Sequence, residues 1–322
     1  MCTAISFRAE DFYFGRTLDY DCMFQSEVVV MPRNYPLRFR FLEEMPHHYA
    51  LCGMAYIRDG VPLFYDGMNE KGLAVAALSF GEDIVYSEES IGIQNIASFE
   101  VIPYILAACK SAREAKEQLK SAAITDTPFD SELPPSPLHW IFADGRECFV
   151  AEYSKEGMNI YDDCFGILTN APAFPFQKEN LNDYMGVSAK VEENRFCVDL
   201  PLQRYSRGMG GIGLPGDFSS RSRFVRGTFL KFNSCPEGDD RVGEVFSLLS
   251  GVSIPKGAVV LEEERYHRTL YTSCMNVSHG EYYYTTCTNR RINGVRMMEE
   301  DLSAEKLSLF PLELTQSINY QN

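Results

Sequence analysis

Several absences narrow the reading of this 322-residue chain. No apolar run approaches the roughly 18 to 20 residues that a membrane helix needs, and the start has no basic segment followed by an apolar one. The expectation is a cytoplasmic protein with no membrane partner. No C-x-x-C occurs: the 10 cysteines are scattered along a long chain, which opposes a disulfide framework and makes most of them ordinary buried thiols. In that setting the sequon Asn276-Val277-Ser278 carries no meaning. Basic residues are scarce, 30 against 45 acidic ones, and the net charge of −15 opposes binding to a phosphate backbone. Nucleic acid is set aside as a partner.

Familiar catalytic motifs are missing too. The histidines at His47, His48, His139, His267 and His279 form no H-E-x-x-H and no Cys/His ligand spacing, so no metal is expected. No G-x-S-x-G marks a serine hydrolase elbow. Gly208 to Gly213 match G-x-G-x-x-G in letters, but the match follows YSR and runs into LPGD instead of joining a strand to a helix. It reads as a loop.

What is present is a chain rich enough in apolar residues, 45%, for a large packed core. CTAISF, FYFG, EVVVM, ALCGMAYI and LAVAALSF are of strand length and are separated by turn-rich pieces such as RAED and NEKG. Helical spacing begins at SFEVIPYILAAC, and SAREAKEQLKSA carries a capping box, Ser111 with Glu114. HWIFADGRECFVAEY reads as a hairpin about Asp144-Gly145, with Asp-Gly chosen for its tolerance of positive φ. Helices follow over SSRSRFVRGTFLKF and over DDRVGEVFSLLSGV, the latter capped by Asp239 or Asp240. TLYTSCMN and EYYYTTCT form a last hairpin across VSHG.

Blocks of strands alternating with pairs of helices favour an α+β fold with largely antiparallel sheets. No linker or repeat divides the chain, so residues 1–322 are expected to form one domain. The Pro-rich stretch TPFDSELPPSPLHW reads as a long surface loop, a common home for substrate contacts.

Candidate chemistry starts at the second residue. Removal of Met1 would leave Cys2 first, with a thiol nucleophile and an α-amine of pKa roughly 7.7 to 8.0 that can shuttle its proton. FGRTLDY then places Arg16 and Asp19 in a strand-like frame, where charges are expensive unless paired or used. A hairpin through RAEDF would bring them beside Cys2, Arg16 to stabilise a thiolate and Asp19 to orient the amine. A strand has a period of two, so it would have to bend or end between them for both to serve one site. On these residues alone a structural Arg-Asp pair is the alternative. Asn170 in LTNAP stands where a strand meets a turn, which suits turn chemistry or an oxyanion hole. Arg223 lies early in a helix and is either solvated or buried among active groups.

Read together, MCTAISF, FGRTLDY, GMNEKGLAVAAL, SPLHW, LTNAPAFPFQ, YSRGMGGIGLPGD, SSRSRFVR and EYYYTTCTN resemble the choloylglycine hydrolase family, the bile salt hydrolases and penicillin V acylases. The resemblance runs from residue 1 to about 312. It implies the N-terminal-nucleophile hydrolase fold, a four-layer αββα sandwich, with Cys2 as nucleophile exposed by loss of Met1. By the same matching, Arg16 and Asp19 fall on the family's arginine and aspartate beside the nucleophile, Asn170 on its oxyanion-region asparagine, and Arg223 on its second active-site arginine. ALSF stands where bile salt hydrolases usually read GLNF, which puts Ser79 in place of an active-site asparagine, and Ala171 replaces a neighbour in LTNNP. A hydroxyl offers fewer hydrogen bonds than an amide.

The resemblance further implies a conjugated bile acid as substrate, an apolar cleft drawn from Leu18, Phe24, Phe129, Leu133 and Leu138, and a homotetramer formed through residues 180–212. The expected reaction is hydrolysis of the glycine or taurine amide through a thioester. Penicillin V acylase activity, transfer of the acyl group to an amino acid, a bile-acid-binding protein without chemistry, and a thiol redox role using Cys22 are the alternatives.

Overall fold

The computed structural model of the chain describes residues 1–81, 84–191, 193–235 and 240–322. Among them, two antiparallel sheets lie face to face. The smaller runs in the order Ile167–Leu168, Cys2–Arg8, Phe12–Tyr20, Tyr266–Asn276, Glu281–Thr286 and Asn293–Arg296, with Val259–Val260 added beside Tyr266–Asn276. The larger runs Gly157–Asp162, Cys148–Ser154, Leu138–Ala143, Ala74–Ser79, Val61–Asn69, Leu51–Arg58, Ser26–Met31 and Ser308–Pro311. A short parallel pair, Gln94–Ala97 with Ala122–Thr125, stands apart.

The central strands of this pattern are buried on both faces, and the period of two sorts their side chains. Along Ala74–Ser79, Ala74, Ala76 and Leu78 face the other sheet, while Val75 and Ala77 face the helices Val101–Ala108 and Ala112–Lys120. Across the sandwich, Gly15 faces Val245 and Leu249 of the helix Arg241–Ser250, beside the helix Ser220–Asn233. A Cβ on Gly15 would fall 2.5 Å from the carbonyl of Ser273 and near both helical side chains, so glycine permits this close packing. The result is helix, sheet, sheet, helix, as the αββα expectation has it. No helix among the described residues is long and apolar enough to cross a membrane.

Local details refine the expected turns and caps. Ser111 Oγ accepts from Glu114 N at 3.3 Å, but Glu114 reaches back to Lys110 N and not to the cap residue itself. Asp240 caps its helix through Gly243 N at 2.7 Å, and Asp239 lies outside the described residues. The Asp144-Gly145 hairpin does not use a positive φ at Gly145. Its connection is four residues, 144–147, and the Asp144 carboxylate closes it by accepting from Arg146 N and Glu147 N. The same carboxylate accepts from Ala112 N, tying the hairpin to a helix start. The Gly208 to Gly213 match is a loop with one short 3-10 turn, Met209–Gly211.

Candidate active site

Cys2 opens the strand that pairs with Phe12–Tyr20, in the register Cys2 to Leu18 and Ala4 to Arg16. That hairpin delivers the expected proximity. Cys2, Leu18 and Arg16 share the face turned toward the larger sheet, while Thr3, Thr17 and Asp19 share the face turned toward the helices. The strand neither ends nor reverses between Arg16 and Asp19; it continues to Tyr20, against the expectation that it must bend. Leu270 is an extra residue in the neighbouring strand opposite this point, a bulge between Thr269 and Tyr271. Arg16 lies on the face of the Cys2 side chain, while Asp19 meets the main chain of Met1; among the described residues no side-chain hydrogen bond joins either to Cys2, and it is Asn170 and Arg223 that reach its main chain.

On the thiol's face, Arg16 is fully buried and donates from Nη1 to the carbonyls of Tyr65 and Ala77 at 3.1 and 3.0 Å. Nη2 has no hydrogen-bond partner among the described residues. Burial opposes its charge, but the fields of Cys2, Tyr271, Asp66 and Asp19 outweigh that and raise its pKa. Asp66 is buried between the sheets and accepts from the hydroxyls of Tyr271 and Tyr282, both at 2.7 Å. Burial pushes its pKa up, against the pull of Arg16 and the two tyrosines.

On the other face, Arg223 enters from the helix Ser220–Asn233 and is buried, not solvated. It bonds the carbonyl of Cys2, Thr3 Oγ1 at 2.7 Å, Asn170 Oδ1 at 2.6 Å and the carbonyl of Phe218 at 3.0 Å. Desolvation lowers its pKa, with Asp19 and Cys2 acting to restore it. Asp19 Oδ2 lies 4.0 Å from Arg223 Nη1, and its carboxylate accepts from Thr17 Oγ1 and from Thr269 Oγ1.

Asn170 joins these parts. Its Oδ1 accepts from Cys2 N at 2.9 Å as well as from Arg223, which fixes which end of the amide is oxygen. Its Nδ2 donates to the main-chain carbonyl of Ser79 at 2.6 Å, while the Ser79 residue is exposed. Met1 is in place: its carbonyl accepts from Asp19 N at 2.9 Å, and its amine donates back to Asp19 O.

Apolar groups surround this end of the sandwich. Leu18 is cross-strand from Cys2, and Leu138 is cross-strand from Ser79. Phe24 is 41% exposed, with its ring 6.5 Å from Tyr20 and 5.3 Å from Tyr56. Phe129 and Leu133 sit further out on the Pro-rich loop. Phe129 meets Phe99 edge-on and lies under Arg40, and Arg58 holds the loop through Asp130 and Glu132. Two clefts among the described residues, of about 560 and 610 Å³, share Glu70 and Lys71 at the opposite strand ends. No group of His, Cys, Asp and Glu suited to a metal ion occurs among the described residues.

Sequence reasoning missed four neighbours of the site: Tyr20, Tyr56, His267 and Thr269. His267 stacks on Tyr20 at 5.8 Å and has its pKa lowered by burial and by the chain's amino terminus. Their places at the site rest on strand pairings across 30 residues or more, so local pattern carries no sign of them.

Comparison with known proteins agrees with this architecture. The model of linear amide C–N hydrolases, choloylglycine hydrolase family, matches residues 2–310. A bile salt hydrolase/transferase of Lactiplantibacillus plantarum is 42% identical, covering 97% of each chain, and one of Clostridium perfringens is 36% identical over the full length of both. The crystal structure of a variant of conjugated bile acid hydrolase from Clostridium perfringens superposes with a TM-score of 0.94 over 100% of both chains at 36% identity. Penicillin V acylase from Agrobacterium tumefaciens shares the fold, with a TM-score of 0.76 at 19% identity over 99% of this chain and 100% of that one. The chain belongs to the choloylglycine hydrolase family of linear amide C–N hydrolases.

Proposed function

We propose that the chain is a bile salt hydrolase that cleaves the amide of glycine- or taurine-conjugated bile acids with Cys2 as nucleophile. One observation carries the mechanism: polar groups converge on the main chain of Cys2, with the half-buried Asn170 on its nitrogen and the buried Arg223 on its carbonyl. Such a network is costly to bury and gains a use if that nitrogen takes part in chemistry. While Met1 is attached, the nitrogen is a peptide amide without basicity. Loss of Met1 makes it an α-amine, oriented by Asn170 Oδ1.

The amine takes the proton of Cys2 Sγ, and the sulfur attacks the amide carbonyl. Arg16, on the thiol's face, favours the anionic sulfur. Asn170 Nδ2 gives one hydrogen to Ser79 O and presents the other to the developing oxyanion. The C–N bond breaks as the ammonium returns its proton to the leaving nitrogen. Water then releases the bile acid from the thioester, with no metal or cofactor. Leu18, Phe24, Phe129, Leu133 and Leu138 line the steroid's path at this end of the sandwich. Another amino acid in place of water would make the same acyl-enzyme a transferase, the second activity in the names of the two hydrolase/transferase relatives.

All ten cysteines are free thiols, which supports action in the reducing cytoplasm. Met185, Phe196, Val198, Tyr205 and Ile212 are exposed within residues 180–212, which supports that segment as the contact of a homotetramer.

The test pairs intact mass, for loss of Met1, with amine release from glycocholate, taurocholate and penicillin V by wild type and Cys2→Ala. Cys2-dependent release from a bile conjugate is expected. Processed enzyme that cleaves only penicillin V would make the chain an acylase of that kind, and one that cleaves none would leave a binding protein.

A further inference from the structure

Behind Asn170 lies a second set of contacts that never touches Cys2. Asn170 follows a strand of only two residues, Ile167–Leu168, too short to hold a side chain rigidly by its ladder alone. Neighbouring side chains grip its main chain instead. Ser220 Oγ accepts from Asn170 N at 2.9 Å and donates to Asn170 O at 2.8 Å, and Gln177 Nε2 donates to that same oxygen at 3.1 Å. One residue earlier, His139 Nε2 donates to the carbonyl of Thr169 at 2.9 Å.

His139 is fully buried in the larger sheet. Its Nδ1 stands 3.1 Å from Glu152 Oε1, and Glu152 also accepts from Phe174 N at 3.0 Å. Its ring stacks on Phe80 with centroids 4.5 Å apart. Phe80 follows Ser79, and Thr169 precedes Asn170, so a single imidazole braces both segments that meet in the Asn170–Ser79 hydrogen bond. Oxygen acceptors lie at both ring nitrogens, and a neutral imidazole has one N–H, so both contacts hold only while His139 and Glu152 keep a proton between them. Burying such a pair is expensive, and apolar side chains of similar volume would fill the space as well.

We propose that His139, oriented by Glu152, is the positioning residue that holds the Asn170 amide in register with Cys2 and Ser79. The inference rests on Asn170 acting as an oxyanion donor, as argued above. An amide displaced by a fraction of an ångström still binds substrate but meets the transition state poorly, so kcat falls and KM does not.

The test uses His139→Asn, which retains a donor toward Glu152 but is too short for Thr169 O, and His139→Gln, whose amide reaches the place of Nε2. Each is assayed for kcat and KM on an amide that the wild type cleaves, and for alkylation of Cys2 by iodoacetamide, followed by peptide mapping. His139→Asn is expected to lower kcat on the order of tenfold to 100-fold, with KM and Cys2 alkylation within about twofold of wild type. His139→Gln should recover most of the loss. Unchanged kcat in His139→Asn overturns the proposal, as does a joint fall of kcat and alkylation that His139→Gln does not relieve. Should His139→Asn not fold, Glu152→Ala decides: it removes the group that orients Nδ1, and wild-type kcat in it overturns the proposal. Wild-type failure on bile conjugates would refute the substrate reading and leave this comparison intact on any other amide.

Discussion

Asn170 and Ser79 are joined by a hydrogen bond of 2.6 Å that crosses from the smaller sheet to the larger, and it uses only the main chain of Ser79. The side chain at position 79 is therefore free to change without loosening Asn170. Ser79→Asn is expected to keep the melting temperature within about 2 °C, the scale of a neutral surface change. An amide there adds a donor at the rim of the site, so kcat on glycocholate should rise, on the order of tenfold, relative to penicillin V. Parallel kinetics on the two substrates check this, and an unchanged ratio would remove position 79 from the substrate's surroundings.

Arg223 serves four acceptors at once: Cys2 O, Thr3 Oγ1, Asn170 Oδ1 and Phe218 O. Lysine carries the same charge without the planar fork, and cannot span acceptors set this far apart. Arg223→Lys is expected to lower kcat/KM at least about 100-fold and to destabilise the fold by about 2 to 4 kcal/mol, because buried acceptors lose their donors. Steady-state assays and urea unfolding measure the two effects. A variant that lost only stability would separate Arg223 from the chemistry.

Much of the fold was legible because the chain is locally consistent. Strand-length apolar runs, the Ser111 cap and the hairpins about residues 144 and 280 each sit where pattern places them. The candidate residues were legible as an ensemble, through the resemblance, and the structure gathers Cys2, Arg16, Asp19, Ser79, Asn170 and Arg223 at one end of the sandwich. Their faces were not legible. Periodicity correctly opposed Arg16 to Asp19, yet nothing local tells that a strand-terminal residue is served from both sides. The His139–Glu152 pair was invisible for a related reason: a histidine on an apolar strand looks the same whether it fills space or braces a loop 30 residues away.

Asp66 offers a test of the intersheet core behind Arg16. Its carboxylate is buried, burial raises its pKa, and the hydroxyls of Tyr271 and Tyr282 donate to its two oxygens. Tyr271→Phe and Tyr282→Phe each remove one donor while keeping the ring. Each is expected to cost about 1 to 3 kcal/mol in urea unfolding, and the double variant to depart from the sum because both act on one carboxylate. Simple additivity would show that Asp66 is satisfied in some other way.

Glu100 gives the pH dependence a sign. It is 5% exposed, and burial raises its pKa from 4.5 to about 7, although the N–H groups of Arg40 and Ala97 and the charge of Arg40 pull the other way. In the unfolded chain the group releases its proton near pH 4.5; in the folded chain it holds the proton until about pH 7. The unfolded state is thus favoured increasingly across that interval. Below it Glu100 makes no difference, and above it the penalty is complete, at most about 3 kcal/mol. Glu100→Gln keeps an acceptor for Arg40 N and removes the titration. Its melting temperature should equal that of wild type near pH 4.5 and exceed it by a few degrees at pH 8, with the gap opening between. Melting curves at pH 4.5, 6 and 8 read this directly, and a gap that stays constant with pH would show that Glu100 does not titrate in that range.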